Sequence, residues 1–432
     1  MDMANEDARV NLRQALLGIA QALDAVEFES LYHGYNVAYI AYRCATFMGW
    51  DEEQAQLAFS IGLMHDCGGT QSSNLLPLFP HCLTGSFSRH CEKGYLLLKE
   101  CQPLSCFATP ILYHHTPWQE LKDLPISETD KQLASLTFLA NRLDHLHRQN
   151  KKDRFGNLSA TVKKAICDEL VNHADTVFDP NMVQHMTELV DKDDFWFSMK
   201  PRYIEEMYFR MEPVPFFSAR IDLDGTIAIA EFFAKIVDAK SSFTFQHSLK
   251  VAELAQFISK QLGYSPKVQK MLYLSGLVHD IGKLYTPDSV LHKAGKLTSE
   301  EYTCIKSHAT DTRFILQGIF RSQRILEWAS NHHERLDGSG YPLGKMAHEL
   351  DRPSRIIAVS DVFQALTQSR PYRAGMPLDE VLEIVHSLVE NNQLDREIFE
   401  CLKRHSHECY QLSTGENSEG LDYVEVLTVG RN

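Results

Sequence analysis

The sequence lacks three features that would place it outside the cell or in a membrane. Its ten cysteines form no CxxC pair, and scattered thiols are typical of a reduced protein rather than of a disulfide framework. No uninterrupted apolar run approaches the length of a membrane span. The first ten residues, MDMANEDARV, are acidic and lack the apolar core of a signal peptide. We therefore expect a cytoplasmic protein without membrane association.

An excess of positive charge is also missing. Lys and Arg total 43 against 57 Asp and Glu, which gives a formal net charge of −14. Such a chain repels polyphosphate surfaces, so we predict that it binds no DNA or RNA polymer. A small phosphorylated ligand held by a few local cations stays compatible with this charge. The 432 residues exceed the usual size of one hydrophobic core and predict two or three domains.

Histidine is abundant and recurs in a fixed order. Half of the 20 histidines occupy equivalent positions in two halves of the chain, at offsets of 214 to 218 residues. This internal repeat predicts two homologous domains, residues 1–210 and 211–432. The equivalent pairs are His33 with His247, His65 with His279, Asp66 with Asp280, His90 with His308, His114 with His332, His115 with His333, and Asn141 with Asp361.

The segments that carry these residues have helical periodicity. Apolar residues recur at three-to-four spacing in residues 268–284 and 379–392. Thr298 and Glu301 form a capping-box pattern that opens the helix before His308. The glycines and the proline of DGSGYPLG (337–344) indicate a loop. The predicted fold class is all-α.

The second half offers more candidate metal ligands than one ion needs. Nitrogen and oxygen ligands without thiolate suit iron, manganese or zinc, and two ions that share an Asp can clamp a phosphoryl group during hydrolysis. Adjacent helix positions diverge by about 100°, so a His-Asp pair on one helix would reach both ions. The candidate ligands are His247, His279, Asp280, His308, His332, His333 and Asp361.

Three cations follow the candidate ligands along the chain. Lys283 lies three residues after Asp280, on the same predicted helix face, and could offset negative charge in a transition state. Arg370 and Arg373 are spaced for bidentate phosphate contacts. Taken alone, Lys283 fits a solvated residue, and the two arginines fit a surface ion pair equally well.

Together, HDIGK (279–283), HHERLDGSGYP (332–342) and IIAVSDVFQALTQSRPYR (356–373) resemble the HD-GYP phosphodiesterases. The resemblance covers about residues 225–405. It implies a helical bacterial enzyme that opens cyclic di-GMP or 3',3'-cyclic GMP-AMP to a linear dinucleotide with a 5'-phosphate.

The resemblance also implies roles for single residues. The seven candidate ligands would hold two divalent ions, iron or manganese, with Asp280 as the bridge. Lys283, Arg370 and Arg373 fall on phosphate-contacting positions of the family. The GYP loop, residues 340–342, would shape the site or dock a partner protein such as a diguanylate synthase.

Two positions depart from the family pattern. Phe243 stands where some members place a Glu that holds a third metal ion. We therefore expect a two-metal site, and cleavage beyond the linear dinucleotide is put in doubt. Gln364 stands where the family often has Asp, and we assign it a structural role.

The first half keeps six of the repeated ligands but not the cations. Gly69 stands at the position of Lys283, Asn141 at that of Asp361, and no RPYR sequence follows. These losses weaken metal and phosphate binding. We interpret residues 1–210 as a degenerate HD domain that regulates or dimerises. Residual metal binding and a site without metal stay equally open there. The six ligands are His33, His65, Asp66, His90, His114 and His115.

Two alternative functions stay open at the level of sequence. The first is another HD-type phosphohydrolase acting on a nucleotide monophosphate, triphosphate or guanosine tetraphosphate. The second is a receptor or scaffold that binds a cyclic dinucleotide without cleaving it. A homodimer is one candidate assembly for tandem helical domains.

Overall fold

A computed structural model of the chain describes residues 10–24, 32–69, 88–240, 246–293, 295–369 and 374–415. These residues form twenty-two α-helices with short 3-10 turns, and they contain no β-strand beyond isolated bridges. The all-α prediction is therefore confirmed. Across the same ranges, no helix combines the length and the apolar character that a membrane crossing requires.

The described chain forms two compact units: the first is Leu12–Arg220, and the second begins at Ile221 and also includes the described residues before Leu12. The sequence repeat predicts the division ten residues earlier, after residue 210. The intervening EPVPFF stretch packs onto the first unit, because the Phe216 ring lies 5.4 Å from that of Phe107 and its backbone N–H donates to Glu53 at 3.1 Å. The roles assigned to the two domains stay predictions.

The first unit contains helices α1 to α12, and a 3-10 turn at Gln102–Phe107 precedes α5. Their bounds are Leu12–Asp24, His33–Phe47, Glu52–Met64, Ser88–Glu100, Ala108–Tyr113, Trp118–Leu121, Glu128–Gln149, Ala160–Asn172, Pro180–Val190, Asp193–Phe197, Pro201–Arg210 and Pro215–Ser218.

The second unit contains helices α13 to α22, and further 3-10 turns lie at Ile281–Tyr285 and Ala347–Glu349. Their bounds are Leu223–Lys240, His247–Gln261, Pro266–Val278, Asp288–Leu291, Ser299–Ile319, Gln323–Ser330, Arg352–Thr367, Leu378–Glu390, Arg396–Arg404 and Ser406–Thr414.

A glycine contact brings the two central helices together in each unit. A Cβ atom on Gly276 of α15 would lie 2.6 Å from the Cα atom of Ala252 in α14, which only a glycine avoids. Gly62 of α3 approaches Ala38 of α2 at the same 2.6 Å. The helices that carry the first two histidines of each repeat therefore meet backbone to backbone.

Buried aliphatic side chains hold the helices around the second unit's histidines in place. Leu254 of α14, Leu272 of α15 and Val359 of α19 are fully buried. Each such side chain stabilises the fold by roughly 1.5–3 kcal/mol when it leaves water. The predicted capping box is confirmed at the start of α17, where Thr298 accepts from the Glu301 backbone and Glu301 accepts from that of Thr298.

The predicted helix through Lys283 is wrong in its second part. Helix α15 ends at Val278, His279 caps it, and Lys283 lies in the 3-10 turn. The chain turns here because Gly282 packs directly on α17, where a Cβ atom would lie 2.1 Å from the carbonyl oxygen of His308. Asp280 therefore points inward from a turn and not from a helix.

Candidate metal centre

Asp280 lies at the centre of the second unit's histidines. Its side chain is 2 % exposed, and its two carboxylate oxygens face two different groups of imidazoles. The structure brings all seven candidate ligands together around it.

The Oδ2 oxygen of Asp280 faces the first group. It lies 3.4 Å from the Nε2 atoms of both His247 and His279. Asp361 of α19 closes this side, with its Oδ1 oxygen 3.4 Å from His247 and 3.8 Å from His279. Two imidazoles and two carboxylates therefore converge on one point.

The Oδ1 oxygen of Asp280 faces the second group. It lies 3.4 Å from Nε2 of His308 and 3.7 Å from Nε2 of His332. These two nitrogens are 3.2 Å apart. His333 joins them, and its Nδ1 atom lies 3.8 Å from the Oδ2 oxygen of Asp361. Both carboxylates thus lie between the two histidine groups.

Backbone carbonyls fix the orientation of three imidazoles. The Nδ1 atoms of His279, His308 and His332 donate to carbonyl oxygens three residues earlier, at 2.7, 2.6 and 2.6 Å. Each Nε2 atom is then left with its lone pair directed at the centre. This arrangement is the one that metal-bound histidines adopt in proteins.

The protonation states of His308, His332 and Asp280 suit metal binding. Burial lowers the pKa of His308 to about 4 and that of His332 to about 3, so both rings are neutral at pH 7. Burial alone would raise the pKa of Asp280, but the Lys283 ammonium and the nearby imidazoles hold it well below its ordinary value. Burial would also lower the pKa of His247, yet its hydrogen bonds to Asp280 and Asp361 raise it to about 10, so this ring must release a proton before its Nε2 atom can bind a metal.

The centre also contains buried polar atoms that no protein group satisfies. The Nε2 atom of His279 and the Oδ1 oxygen of Asp280 have no hydrogen-bond partner. Such groups are costly unless an ion or a water molecule completes them. One divalent cation on each side of Asp280 would satisfy these two atoms, so the residues present fit a two-metal centre.

Lys283 lies beside the centre, as the sequence predicts. Its ammonium forms a close ion pair with the Oδ2 oxygen of Asp280, and its side chain is 20 % exposed. Arg370 and Arg373 lie outside the described residues, and so does Phe243. Their predicted roles stay predictions.

The GYP loop packs on one of the histidines. The Tyr341 ring lies 4.6 Å from that of His333, and its backbone N–H donates to the His333 carbonyl at 3.1 Å. The buried carboxylate of Glu334 accepts from the backbone N–H groups of Leu343 and Lys345 at 2.8 and 2.9 Å. The loop therefore forms part of the wall of the site.

Gln364 has a more direct role at the centre than the sequence predicts. Its Oε1 oxygen accepts a short hydrogen bond from Nδ1 of His247, which directs the other ring nitrogen at Asp280 and Asp361. In the first unit, Asp144 accepts in the same way from Nδ1 of His33 at 2.7 Å. The offset of 220 residues between Asp144 and Gln364 was the available signal.

Asp238 also supports the centre, and no pattern in the sequence predicts it. This buried residue of α13 accepts from the backbone N–H and the hydroxyl of Ser248, at 3.2 and 2.8 Å. It thereby caps the start of α14, where His247 lies and where the preceding Gln246 supplies no side-chain cap. A capping group from another helix leaves no local pattern in the sequence.

The first unit gathers its six repeated ligands in a similar way. Asp66 lies 3.1 Å from His65 and 3.7 Å from His33 through Oδ2, and 3.6 Å from His90 through Oδ1. The Nε2 atoms of His90 and His114 are 3.4 Å apart. His115 completes the group beside His114, with ring centroids 4.1 Å apart.

Comparisons with known proteins agree with this architecture. A family model described as an HD domain matches residues 30–149, and a second HD-domain model matches residues 231–398. The fold resembles the crystal structure of a cyclic GMP-AMP-specific phosphodiesterase of Vibrio cholerae, V-cGAP3, with a TM-score of 0.61 and 22 % identity, over 92 % of this chain and 98 % of that one. The chain is a tandem HD-domain protein.

Curated relatives narrow the family further. The chain is 47 % identical to 3'3'-cGAMP-specific phosphodiesterase 1 of Vibrio cholerae over 96 % of its own length and 97 % of that protein. It is 36 % identical to phosphodiesterase 3 of the same organism, over 56 % of this chain and 52 % of that one. A cyclic di-GMP phosphodiesterase of Pseudomonas aeruginosa is 34 % identical over 36 % of this chain and 38 % of its own. The chain belongs to the HD-GYP cyclic dinucleotide phosphodiesterases.

Proposed function

We propose that this protein hydrolyses 3',3'-cyclic GMP-AMP to the linear dinucleotide that carries a 5'-phosphate. The observation that carries the proposal is the carboxylate of Asp280 between two histidine groups, which suits phosphodiester hydrolysis. The choice of cyclic GMP-AMP over cyclic di-GMP as substrate rests on the relative named for cyclic GMP-AMP, because this relative and our chain align over nearly the full length of both. The relatives named for cyclic di-GMP align over less than half of this chain.

Two divalent ions, iron or manganese, are the proposed cofactors. His247, His279 and Asp361 would hold one ion, His308, His332 and His333 the other, and Asp280 would bridge them. Nitrogen and oxygen donors of this kind suit both metals. When bound, such ions activate water and neutralise charge on a phosphoryl group.

The protein's own residues supply positioning and charge. In the proposed reaction, water adds to one phosphorus, the bond from that phosphorus to the 3' oxygen breaks, and the 3' oxygen takes up a proton. Lys283, paired with Asp280 at the rim of the centre, would stabilise the negative charge that builds up on the phosphoryl oxygens. Arg370 and Arg373 would hold the second phosphate of the ring.

A product assay with a matched pair of variants tests the proposal. The full-length protein is supplied with Mn²⁺ or Fe²⁺ and given cyclic GMP-AMP, cyclic di-GMP and cyclic di-AMP in parallel. Asp280→Asn removes the bridging charge from the second unit, whereas Asp66→Asn makes the same change at the equivalent position of the first. We expect cyclic GMP-AMP to be cleaved fastest, Asp280→Asn to be inactive, and Asp66→Asn to keep activity.

Each other result contradicts a defined part of the proposal. Full activity of Asp280→Asn would remove the second unit from the reaction. Faster cleavage of cyclic di-GMP than of cyclic GMP-AMP would overturn the proposed substrate preference. Binding without cleavage, with metal present, would favour the receptor, whereas neither binding nor cleavage of any of the three would favour another HD-type phosphohydrolase.

Three further expectations accompany this function. We propose that the first unit is regulatory or dimerising, because it lacks counterparts of Lys283 and Asp361. A homodimer and a diguanylate-synthase-type partner at the GYP loop stay predictions. Leu343, directly after the loop, is 57 % exposed and offers a contact for such a partner.

A further inference from the structure

The first unit contains a thiol that the second unit lacks. Cys91 follows His90 in α4 and is 3 % exposed. Its repeat counterpart, 218 residues later, is Ala309, which follows His308. The Sγ atom of Cys91 lies 3.5 Å from Nε2 of His90. The first copy therefore has Asn141 in place of the carboxylate of Asp361 and a thiol beside its histidines.

Four side chains gather around this thiol. His90, Cys91, His114 and His115 each offer a ligand atom within 4.8 Å of the others. His90 and Cys91 come from α4, whereas His114 and His115 follow α5. Two separate segments of the first unit therefore converge on one point.

Two of the distances match a tetrahedral zinc ion; the Cys91 sulfur also lies 3.6 Å from Nδ1 of His114, so its side chain would turn towards the Nε2 atom of that ring when the ion binds. Zn–N bonds of about 2.05 Å and a Zn–S bond of about 2.3 Å place neighbouring ligands about 3.4 Å (N to N) and about 3.6 Å (N to S) apart. The Nε2 atoms of His90 and His114 are 3.4 Å apart, and the Cys91 sulfur is 3.5 Å from the former. Nδ1 of His114 donates to the carbonyl oxygen of Ile111 at 2.6 Å, which leaves its Nε2 lone pair for a metal.

We propose that the first unit binds one zinc ion through His90, Cys91, His114 and His115. The thiolate shifts the preference of this site away from iron and manganese and towards zinc. Three nitrogens and one sulfur complete a tetrahedral shell, as in structural zinc sites. The ion ties α4 to the turn after α5 and leaves no position for substrate. This proposal is independent of the reaction proposed for the second unit.

Cobalt(II) substitution tests the site without any activity measurement. Full-length protein is stripped of metal and titrated with Co²⁺. A cobalt–thiolate bond gives a near-ultraviolet charge-transfer band, which histidine and carboxylate ligands do not give. We expect the wild-type protein to show the band, Zn²⁺ to displace it, and Cys91→Ala to abolish it.

Two controls make the result specific. Cys44→Ala removes another buried thiol of the same unit, and the band must survive that change. Asp280→Asn disrupts the second unit's centre, and this variant must also show the cobalt–thiolate band. Cys91→Ala is expected to fold, because the second copy carries alanine at this position, and circular dichroism checks this.

Zinc content provides a second, independent measurement. Each protein is equilibrated with Zn²⁺ and then dialysed against a weak chelator. We expect Cys91→Ala to retain one zinc ion fewer per chain than the wild type or Cys44→Ala. A wild-type protein without a thiolate band overturns the proposal, and so does a band that persists in folded Cys91→Ala. Equal zinc retention by the two cysteine variants also overturns it.

Discussion

The Nδ1 atom of His247 donates a hydrogen bond to the Oε1 oxygen of Gln364, so a neutral amide orients the imidazole closest to both carboxylates of the centre. The equivalent contact in the first unit uses the carboxylate of Asp144. A positioning group of this type fixes the ring and its tautomer.

Replacing Gln364 should weaken metal binding while leaving the fold intact. Gln364→Leu keeps the volume but removes the acceptor, and we expect metal affinity to fall about 10- to 100-fold. Gln364→Glu restores an acceptor at the same place and should bind metal at least as well as the wild type. Metal titration of the two variants measures the difference. Equal affinity of both variants would show that the hydrogen bond has no positioning role.

Removing the Lys283 ammonium should slow the chemical step. Lys283→Ala removes the charge beside Asp280, and we expect kcat to fall about 10²- to 10³-fold while metal content is retained. Lys270→Ala is the control, since this exposed lysine pairs with the exposed Asp224, and we expect the change to leave kcat unchanged. The idea fails if Lys283→Ala loses its metal and its activity together, because the lysine would then act on the centre and not on the phosphate.

A methyl group at Gly276 should separate the two central helices of the second unit. The Cβ atom of Gly276→Ala would lie 2.6 Å from the Cα atom of Ala252, and such overpacking costs about 1–3 kcal/mol. Gly295→Ala places its Cβ atom in open space and should change stability by less than about 0.5 kcal/mol. Urea unfolding of both variants measures these costs, and equal stability would contradict the close approach.

Asp238 should make the metal-free protein less stable as the pH rises. Burial raises the pKa of this carboxyl from 3.8 to about 7, with His247, Ser248 and Asp280 as its neighbours. The folded state therefore binds the proton more tightly than the unfolded state. The resulting contribution of Asp238 to the free energy of unfolding is complete below pH 3.8 and is lost as the pH rises through about 7.

Asp238→Asn cannot titrate but retains an oxygen for Ser248. We expect the variant to lack the fall in stability that the wild type shows between pH 5 and 7. Above pH 7, its free energy of unfolding should exceed that of the wild type by at most about 4 kcal/mol. Urea unfolding of chelated protein from pH 5 to 8 measures this. Asp224→Asn changes an exposed carboxylate and should follow the wild-type slope; an unchanged slope in Asp238→Asn would contradict the buried titration.

The repeat and the motifs together predicted most of the second unit's centre. Histidine spacing at offsets of 214 to 218 identified the residues that converge on Asp280, because each of them is recognisable at a single position of the repeat. The turn after Val278 was missed because it depends on the contact of Gly282 with α17, which is distant in sequence. Gln364 and Asp238 were undervalued or missed for the same reason: each acts across helices and leaves no local pattern.

Gly68 of the first unit and Gly282 of the second approach the next helix in the same way, with a Cβ atom that would lie 2.1 Å from the carbonyl oxygen of His90 or His308. In both units, the distance between the His-Asp pair and the next histidine is therefore set by this backbone contact rather than by side-chain rotamers. The two copies can then differ in chemistry through side chains alone, at Gly69, Cys91 and Asn141 in the first. A shared framework of this kind lets the zinc site proposed for the first unit and the reaction proposed for the second use the same backbone geometry.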